Sequence, residues 1–404
     1  MRAAVWTGVM AAVGGAAAAA GAGMAPFALA DTRPAPVQGV HELRLRHALH
    51  SVCDADETVL QRDVHAGSER GDGAGAAGDG RPPALQVLSS YYEAVLLDGT
   101  AGAAGDTFTM SVPCVEDKET VMSLAKMSAN AYLEDSNSTK WRDVGPGWNK
   151  SSDYGWDSDG VRGYVFASDN NATIVITIKG TSTILSGEDS ELIENDREND
   201  NLLFSCCCAH GDSLWRQVCD CNTKAYTCNQ TCLTGALRDD TRYYRAASLI
   251  YETTVDMYPG SAVWLAGHSL GGALSSLVAQ TYGRPAVAFE APGDQLAATR
   301  LGLPPPQYPN GSSLIWHFGN NADPIFMGTC NGPLSFCTLG GYAMETQCHS
   351  GNECVYDTIE DLQWHLSIVH HEIERVVDMM DSYNETAACA TTEMCQDCYL
   401  WNFV

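Results

Sequence analysis

The sequence predicts an α/β fold, with one mostly parallel sheet covered by helices on both faces. Three observations predict it. Short apolar strands alternate with amphipathic helices between about residues 163 and 318. A Gly-x-Ser-x-Gly turn, Gly267 to Gly271, joins a buried strand to a helix. The chain has 404 residues, of which 45% are hydrophobic, enough for a large core.

In chain order, the uncharged run from Ala3 to Ala30 is long enough to span a bilayer and ends in Ala28-Leu29-Ala30. Residues 1–30 therefore read either as a signal anchor or as a cleaved signal peptide, and everything after them as lumenal or extracellular. Residues 31–110 are poor in aromatic side chains and include a Gly-rich linker, Gly67 to Gly80. Within them His41 to His47 reads either as a strand docked on the main body or as an exposed segment.

The folded body, residues 111–404, begins with a helix over about Lys118–Leu133. Val121, Leu124, Ala125, Ser128 and Tyr132 form one stripe at helical spacing. Gly163–Ala167 and Thr173–Ile178 read as a hairpin turned by Ser168 to Asn171. After Thr181 come an acidic run, Glu188 to Asp200, and the first cysteine cluster, inside an insertion spanning about 182–240. A helix over about Thr241–Met257 stops at Pro259-Gly260, and Ala262–Ala266 reads as a buried strand. Helix Gly272–Tyr282 and strands Ala286–Phe289 and Leu314–Phe318 complete the alternation.

The turn Gly267-His268-Ser269-Leu270-Gly271 carries the strongest chemical signal. At so sharp a strand-to-helix corner, neighbouring side chains would collide, so Gly267 and Gly271 allow Ser269 to project its hydroxyl above the sheet. A glycine-rich turn without chemistry is the structural alternative. His268 is expected to point away from Ser269 as packing or polar support. A serine nucleophile needs a base and an orienting carboxylate downstream. Asp323 follows a strand at the carboxyl end of the sheet, where loops place functional groups, although an Asp before Pro is also a common turn residue. Asp294 is second. His365, His370 and His371 are candidate bases, and spacing does not choose among them. For the oxyanion, the backbone N–H of Leu270 and of Thr181 are placed as donors, with the Thr181 hydroxyl available in addition.

Composition sets the surroundings. With 23 Lys+Arg against 50 Asp+Glu, the net charge of −27 excludes a nucleic-acid partner held by phosphate contacts. The sum stays strongly negative even with all 11 histidines protonated, so an acidic lumen is tolerated. Sixteen cysteines indicate disulfides in an oxidising compartment, since no compact Cys/His set with zinc spacing accompanies them. No metal and no cofactor is called for. Asn137, Asn149, Asn171, Asn229, Asn310 and Asn384 stand in N-x-Ser/Thr acceptor sequences, which fits the secretory route.

The chain resembles the class 3 (fungal-type) lipases and, within them, the vacuole-directed autophagic-body phospholipases. The resemblance is carried by Ile176 to Thr181, Asp200 to Cys208, Gly267 to Gly272, His317 to Ile325 and Cys395 to Trp401, and more loosely by Glu42-Leu43-Arg44. It implies an α/β-hydrolase fold with a lid-like cysteine-rich insertion and a triad of Ser269, Asp323 and His371. Trp364 seven positions before and Ile373 two after match the family's base at His371. It further implies a single N-terminal membrane anchor in type II orientation, lumenal glycosylation, passage through endosomes and multivesicular bodies to the vacuole, and membrane phospholipids as substrate, with triacylglycerol as a further one. Lys179 departs from the Arg usual at that strand end, and the Ala/Gly-rich anchor is unusual. The insertion reads either as a disulfide-stapled flap or as a rigid decoration. A secreted carboxylesterase of non-lipid esters and a catalytically silent binding module are the competing readings. A metal-dependent hydrolase fits least, for want of a His-Glu-x-x-His run.

Overall fold

The central strands form because their residues are apolar on both faces. Thr173–Ile178 is buried throughout, with Ile174, Ile176 and Ile178 in one core cluster and Val175 in the other. Val263 and Leu265 likewise face one side while Trp264 and Ala266 face the opposite one. That period of two, apolar on both sides, is what a parallel sheet buried between helix layers requires. The computed structural model describes residues 53–54, 57–63 and 107–404, except 159, 183–187, 304–312 and 392–394, with side chains from 111 onward. Residues 1–30, the His41–His47 segment, the Gly67–Gly80 run and Asn310 lie outside the described residues.

We number the described elements in chain order. Strands β1 (Cys53–Asp54), β2 (Glu57–Asp63) and β3 (Thr107–Val112) form a small antiparallel sheet, so part of the stretch expected to be linker pairs with the start of the body. Helix α1 (Lys118–Asn130) is capped by Asp117, whose carboxylate accepts from Thr120 N at 2.8 Å, a contact worth about 1 kcal/mol. Strands β4 (Trp148–Tyr154), β5 (Gly163–Ser168) and β6 (Thr173–Ile178) run antiparallel. Helix α2 (Ser190–Phe204) occupies the acidic run, where sequence periodicity predicts no element. Its Leu192, Leu202, Leu203 and Phe204 are buried.

Strands β7 (Asn222–Lys224) and β8 (Thr227–Cys228) and helix α3 (Gln230–Leu237) follow, then α4 (Tyr243–Met257), β9 (Ala262–His268), α5 (Leu270–Tyr282), β10 (Ala286–Phe289), α6 (Gln295–Leu301) and β11 (Ile315–Asn320). The chain ends with α7 (Phe336–Leu339), β12 (Asn352–Tyr356), α8 (Thr358–Asp361), a 3-10 turn (Ile368–His371), α9 (Ile373–Ser382), β13 (Cys389–Thr391) and β14 (Asn402–Phe403).

Among the described residues the main sheet has the order β13-β12-β11-β10-β9-β6-β5-β4. The pairs β6/β9, β9/β10, β10/β11 and β11/β12 are parallel, and only the edges are antiparallel. Helices α1 and α9 pack on one face through Val121, Leu124, Val376, Val377 and Met380. Helices α4 and α5 cover the opposite face through Ile250, Leu274, Leu277 and Val278. This is the α/β-hydrolase architecture expected from the sequence. No helix among the described residues is long and apolar enough to cross a membrane.

The insertion is held covalently. Cys207–Cys228, Cys208–Cys219 and Cys221–Cys232 cross-link it internally, and Cys206–Cys398 ties it to the chain terminus. Strand β14 pairs with β8 beside that bond, and the buried Arg300 donates to the carbonyls of Ser205 and Cys206 at 2.9 and 2.6 Å. Cys330–Cys337, Cys348–Cys395 and Cys354–Cys389 staple the segments that follow β11.

Candidate active site

The parallel order places β9 beside β6 on one side and beside β10, then β11, on the other, so loops from several strand ends converge above Ser269. The turn itself explains its glycines. Ser269 has φ 56° and ψ −130°, a conformation that costs a non-glycine residue roughly 1–3 kcal/mol and holds its side chain up at the corner. A Cβ on Gly267 would stand 2.4 Å from Gly271 O, and one on Gly271 only 2.1 Å from Ile178 O. These close approaches pack the corner against the end of β6.

Ser269 Oγ lies 2.8 Å from His371 Nε2, and His371 Nδ1 lies 2.6 Å from Asp323 Oδ2. Asp323 is fully buried and its second oxygen accepts from Ile325 N at 2.8 Å; Ser269 is 8% exposed. The structure thus joins Ser269, His371 and Asp323 in one hydrogen-bonded chain and leaves the other candidates out of it. Asp294 is buried, accepting from Ser276 Oγ and Ser350 N at 2.5 and 2.7 Å. His370 is buried against Trp364, ring centroids 4.0 Å apart, and His365 is exposed.

Both oxyanion candidates border Ser269. Leu270 is the first residue of α5, so its N–H belongs to the helix turn that has no intrahelical acceptor. Thr181 follows Gly180, at which a Cβ would come within 3.0 Å of Ser269 Cβ. The Thr181 hydroxyl donates to Asp200 Oδ2 at 2.7 Å. Burial raises the Asp200 pKa to about 8, with the nearby Asp196 adding to the rise. Lys179, buried, donates to Gly180 O and Ser182 Oγ and pairs with Glu188 at 3.0 Å.

Four contacts went unnoticed in the sequence. His268 does turn away from Ser269, but its Nε2 meets the His371 carbonyl oxygen at 2.7 Å and its Nδ1 meets Tyr132 Oη at 2.6 Å, so it braces the base. Asn320 Nδ2 reaches the His370 carbonyl at 3.2 Å and Glu290 Oε1 at 2.7 Å. Glu290 was legible as a single acid in the apolar stretch Val287-Ala288-Phe289-Glu290-Ala291. Asp200 carried no signal beyond its place in an acidic run.

Of the acceptor asparagines, Asn137, Asn149, Asn171 and Asn384 are exposed. Asn229 is half-buried and caps α3, its Oδ1 accepting from Cys232 N. The sulfurs of Cys208, Cys219 and Cys221 cluster as metal ligands would, yet all three are in disulfides and offer no thiolate. A cavity of about 310 Å³ lies against the chain terminus, lined by Trp215, Tyr226 and Trp401 among others and by none of the triad residues.

A family profile described as Lipase (class 3) matches residues 218–286. Similar curated proteins named "Putative lipase ATG15" come from Eremothecium gossypii, 52% identical over 305 residues (73% of this chain, 56% of that protein), and from Pichia angusta, 51% identical over 325 residues (78% and 61%). The chain therefore spans only a little over half the length of these relatives. Among solved structures, Lip2 lipase from Yarrowia lipolytica has 15% identity and a TM-score of 0.33, covering 59% of this chain and 77% of that one. A triacylglycerol lipase from Penicillium expansum has 17% identity and a TM-score of 0.34, covering 60% and 81%.

Proposed function

Since the chain belongs to the class 3 lipases, of the type its relatives carry under the name ATG15, we propose that it hydrolyses acyl esters of membrane glycerophospholipids, and of triacylglycerol, through an acyl-enzyme on Ser269. The observation that carries this reading is the chain Ser269 Oγ, His371 Nε2, His371 Nδ1, Asp323 Oδ2, with its contacts of 2.8 and 2.6 Å.

In this reading His371 Nε2 takes the Ser269 proton as Oγ attacks the ester carbonyl carbon. Asp323 holds the imidazole in the tautomer that leaves Nε2 free and stabilises the imidazolium that forms. The backbone N–H groups of Leu270 and Thr181 receive the oxyanion. Collapse of the intermediate releases the alcohol, a lysophospholipid or diacylglycerol, which leaves with the proton from His371. Water, deprotonated by the same nitrogen, then frees the fatty acid and restores Ser269.

A lipid rather than a soluble ester is favoured by exposed apolar side chains in the loops that bear the triad. Leu366 and Val369 stand just before His371, and Met327 just after Asp323. Action within an acidic lumen, on vesicle membranes delivered to the vacuole, with an N-terminal anchor and glycosylation at the exposed acceptors, fits the disulfides and the acidic composition.

The test is fatty-acid release from phosphatidylserine-containing liposomes by the purified lumenal portion, across about pH 4.5 to 8, beside Ser269→Ala. Release that vanishes in the variant is expected. A folded protein that cleaves soluble short-chain esters and no liposome would transfer the reading to a carboxylesterase. One that cleaves neither would leave the silent binding module.

A further inference from the structure

One buried acid beside the triad has no part in the acyl transfer proposed for Ser269. Glu290 follows β10, is fully buried, and has φ 44°, a left-handed backbone that disfavours any side chain. Its carboxyl accepts from Asn320 N at 3.2 Å and Asn320 Nδ2 at 2.7 Å, and it is in hydrogen-bond contact with the carboxyl of Asp323. Asn320 in turn accepts from Ala322 N at 3.1 Å and reaches the His370 carbonyl at 3.2 Å, so Glu290 stands where the acid loop and the base loop are tied together.

Two touching carboxyls in a fully buried place cannot both be ionised. Each carboxyl accepts two N–H donors, Asp323 from His371 and Ile325 and Glu290 from Asn320, but only Asp323 is paired with the histidine that becomes cationic when it takes the serine proton. The proton therefore sits on Glu290, and burial together with the Asp323 charge pushes the Glu290 pKa well above the ordinary carboxylate range.

We propose that Glu290 is a positioning residue that acts on the triad through Asp323: as a neutral carboxylic acid it donates its O–H to the Asp323 carboxylate, tempering the hold of Asp323 on protonated His371. The base then stays unprotonated further into the acid range than a lone aspartate partner would permit. This answers a tension in the proposed function, on which the inference rests. A histidine base must be neutral to accept the serine proton, whereas an acidic lumen and a strong carboxylate partner both favour the imidazolium.

The other ionisable groups packed round the pair do not supply this effect. His268 on β9, its ring centroid 4.8 Å from that of His371, is kept neutral chiefly by burial. Tyr132 stays protonated, again through burial. On the far side of the base, His370 stacks on Trp364 and Arg375 of α9 lies over the same indole. Glu372, at the start of α9, is exposed, and Glu374 pairs with Arg142. Behind Glu290, Asp294 faces His317 at 3.5 Å, and His349 meets the Ala291 carbonyl at 2.9 Å.

The experiment is the pH profile of kcat/KM on a soluble p-nitrophenyl ester for wild type, Glu290→Gln, Glu290→Leu and Ser269→Ala. Leu removes the donor, and its acid limb is expected to move up by about one pH unit, a roughly tenfold loss at the acid end beyond any fall in the plateau. Gln keeps a donor toward Asp323 and cannot ionise, and its limb is expected to stay with wild type. An infrared difference between wild type and Glu290→Gln at neutral pH should show a carboxylic-acid C=O band in wild type only, a measurement that stands even if the Leu variant does not fold. An acid limb unmoved in the Leu variant, a limb moved as far by Gln as by Leu, or no such band overturns the proposal while leaving the triad intact. A fully active Ser269→Ala would instead sink the triad reading, and this inference with it.

Discussion

The corner at Ser269 and the cysteine-rich insertion are both fixed in place, by different means. At the corner, position comes from sheet register. Parallel pairing aligns Ile178 with Gly267 and Phe289 with His268, and glycines allow backbones to approach to where no Cβ fits. In the insertion, position comes from cross-links, three within it and one to the terminus. Local chemistry that depends on a strand-to-helix turn is written in neighbouring residues. Cross-links between cysteines up to 192 residues apart are not.

The comparison breaks most readily at Ser269. Ser269→Ala should lower kcat/KM by a factor on the order of 10⁴ or more, with thermal unfolding unchanged, because it removes the nucleophile and no packing. A variant that loses stability in proportion to activity would show that the corner is structural. Gly271→Ala comes next. Its methyl group would press on the Ile178 carbonyl, so activity should fall along with thermal stability, and circular dichroism melting beside ester hydrolysis would separate the two losses.

The insertion should answer in the opposite sense. Replacing Cys206 and Cys398 together by Ser should cost about 2–5 kcal/mol in denaturant unfolding while the protein that remains folded keeps its kcat on a soluble ester. Loss of kcat in folded protein would mean that this bond shapes the active site too, and would join the two regions.

The two regions meet at Thr181 and Asp200. Asp200 has its pKa raised to about 8 by burial, against about 4 for an unfolded carboxyl, so the folded protein holds an extra proton between those values. Its contribution to stability therefore falls as pH rises through that window and is level below it. Asp200→Asn should gain on wild type in melting temperature toward about pH 8 and match it near pH 4. His268 and His317, both neutral in the fold because they are buried, act with the reverse sign, costing stability as pH drops below about 6.5. A slope unchanged in Asp200→Asn would show that the extra proton is held elsewhere. The smallest effect expected is from Asn137→Gln and Asn384→Gln, both exposed: a loss of glycan mass on gels with activity unchanged.

Much of the fold was legible because burial writes periodicity into sequence. The strands at Thr173–Ile178 and Ala286–Phe289 have the predicted bounds, and α1, α4 and α5 lie within two or three residues of theirs. Helix α2 was not legible: nine of its fifteen residues are Asp, Glu, Asn or Arg, and a short apolar end at Leu202 to Phe204 gives little helical stripe. Its buried Asp196, Asn199, Asp200 and Asn201 are satisfied by partners distant in sequence, such as Tyr243 and Ala343, which a local pattern does not reveal. For the site, chain order narrowed the base to three histidines. The family resemblance singles out His371 through Trp364 and Ile373, and the fold brings it to Ser269, with His268 and Asn320 bracing the loop that carries it.

The central claim is that Ser269 is the nucleophile and that His371 activates it. The most direct measurement is mass spectrometry of peptides after treatment with an alkyl phosphonate that carries a good leaving group. It should yield a single phosphonyl adduct, on the peptide containing Ser269, forming in step with loss of esterase activity and absent from His371→Ala. Hydrolysis that persists after Ser269 is fully modified, or an adduct that forms on another residue as activity is lost, would contradict it.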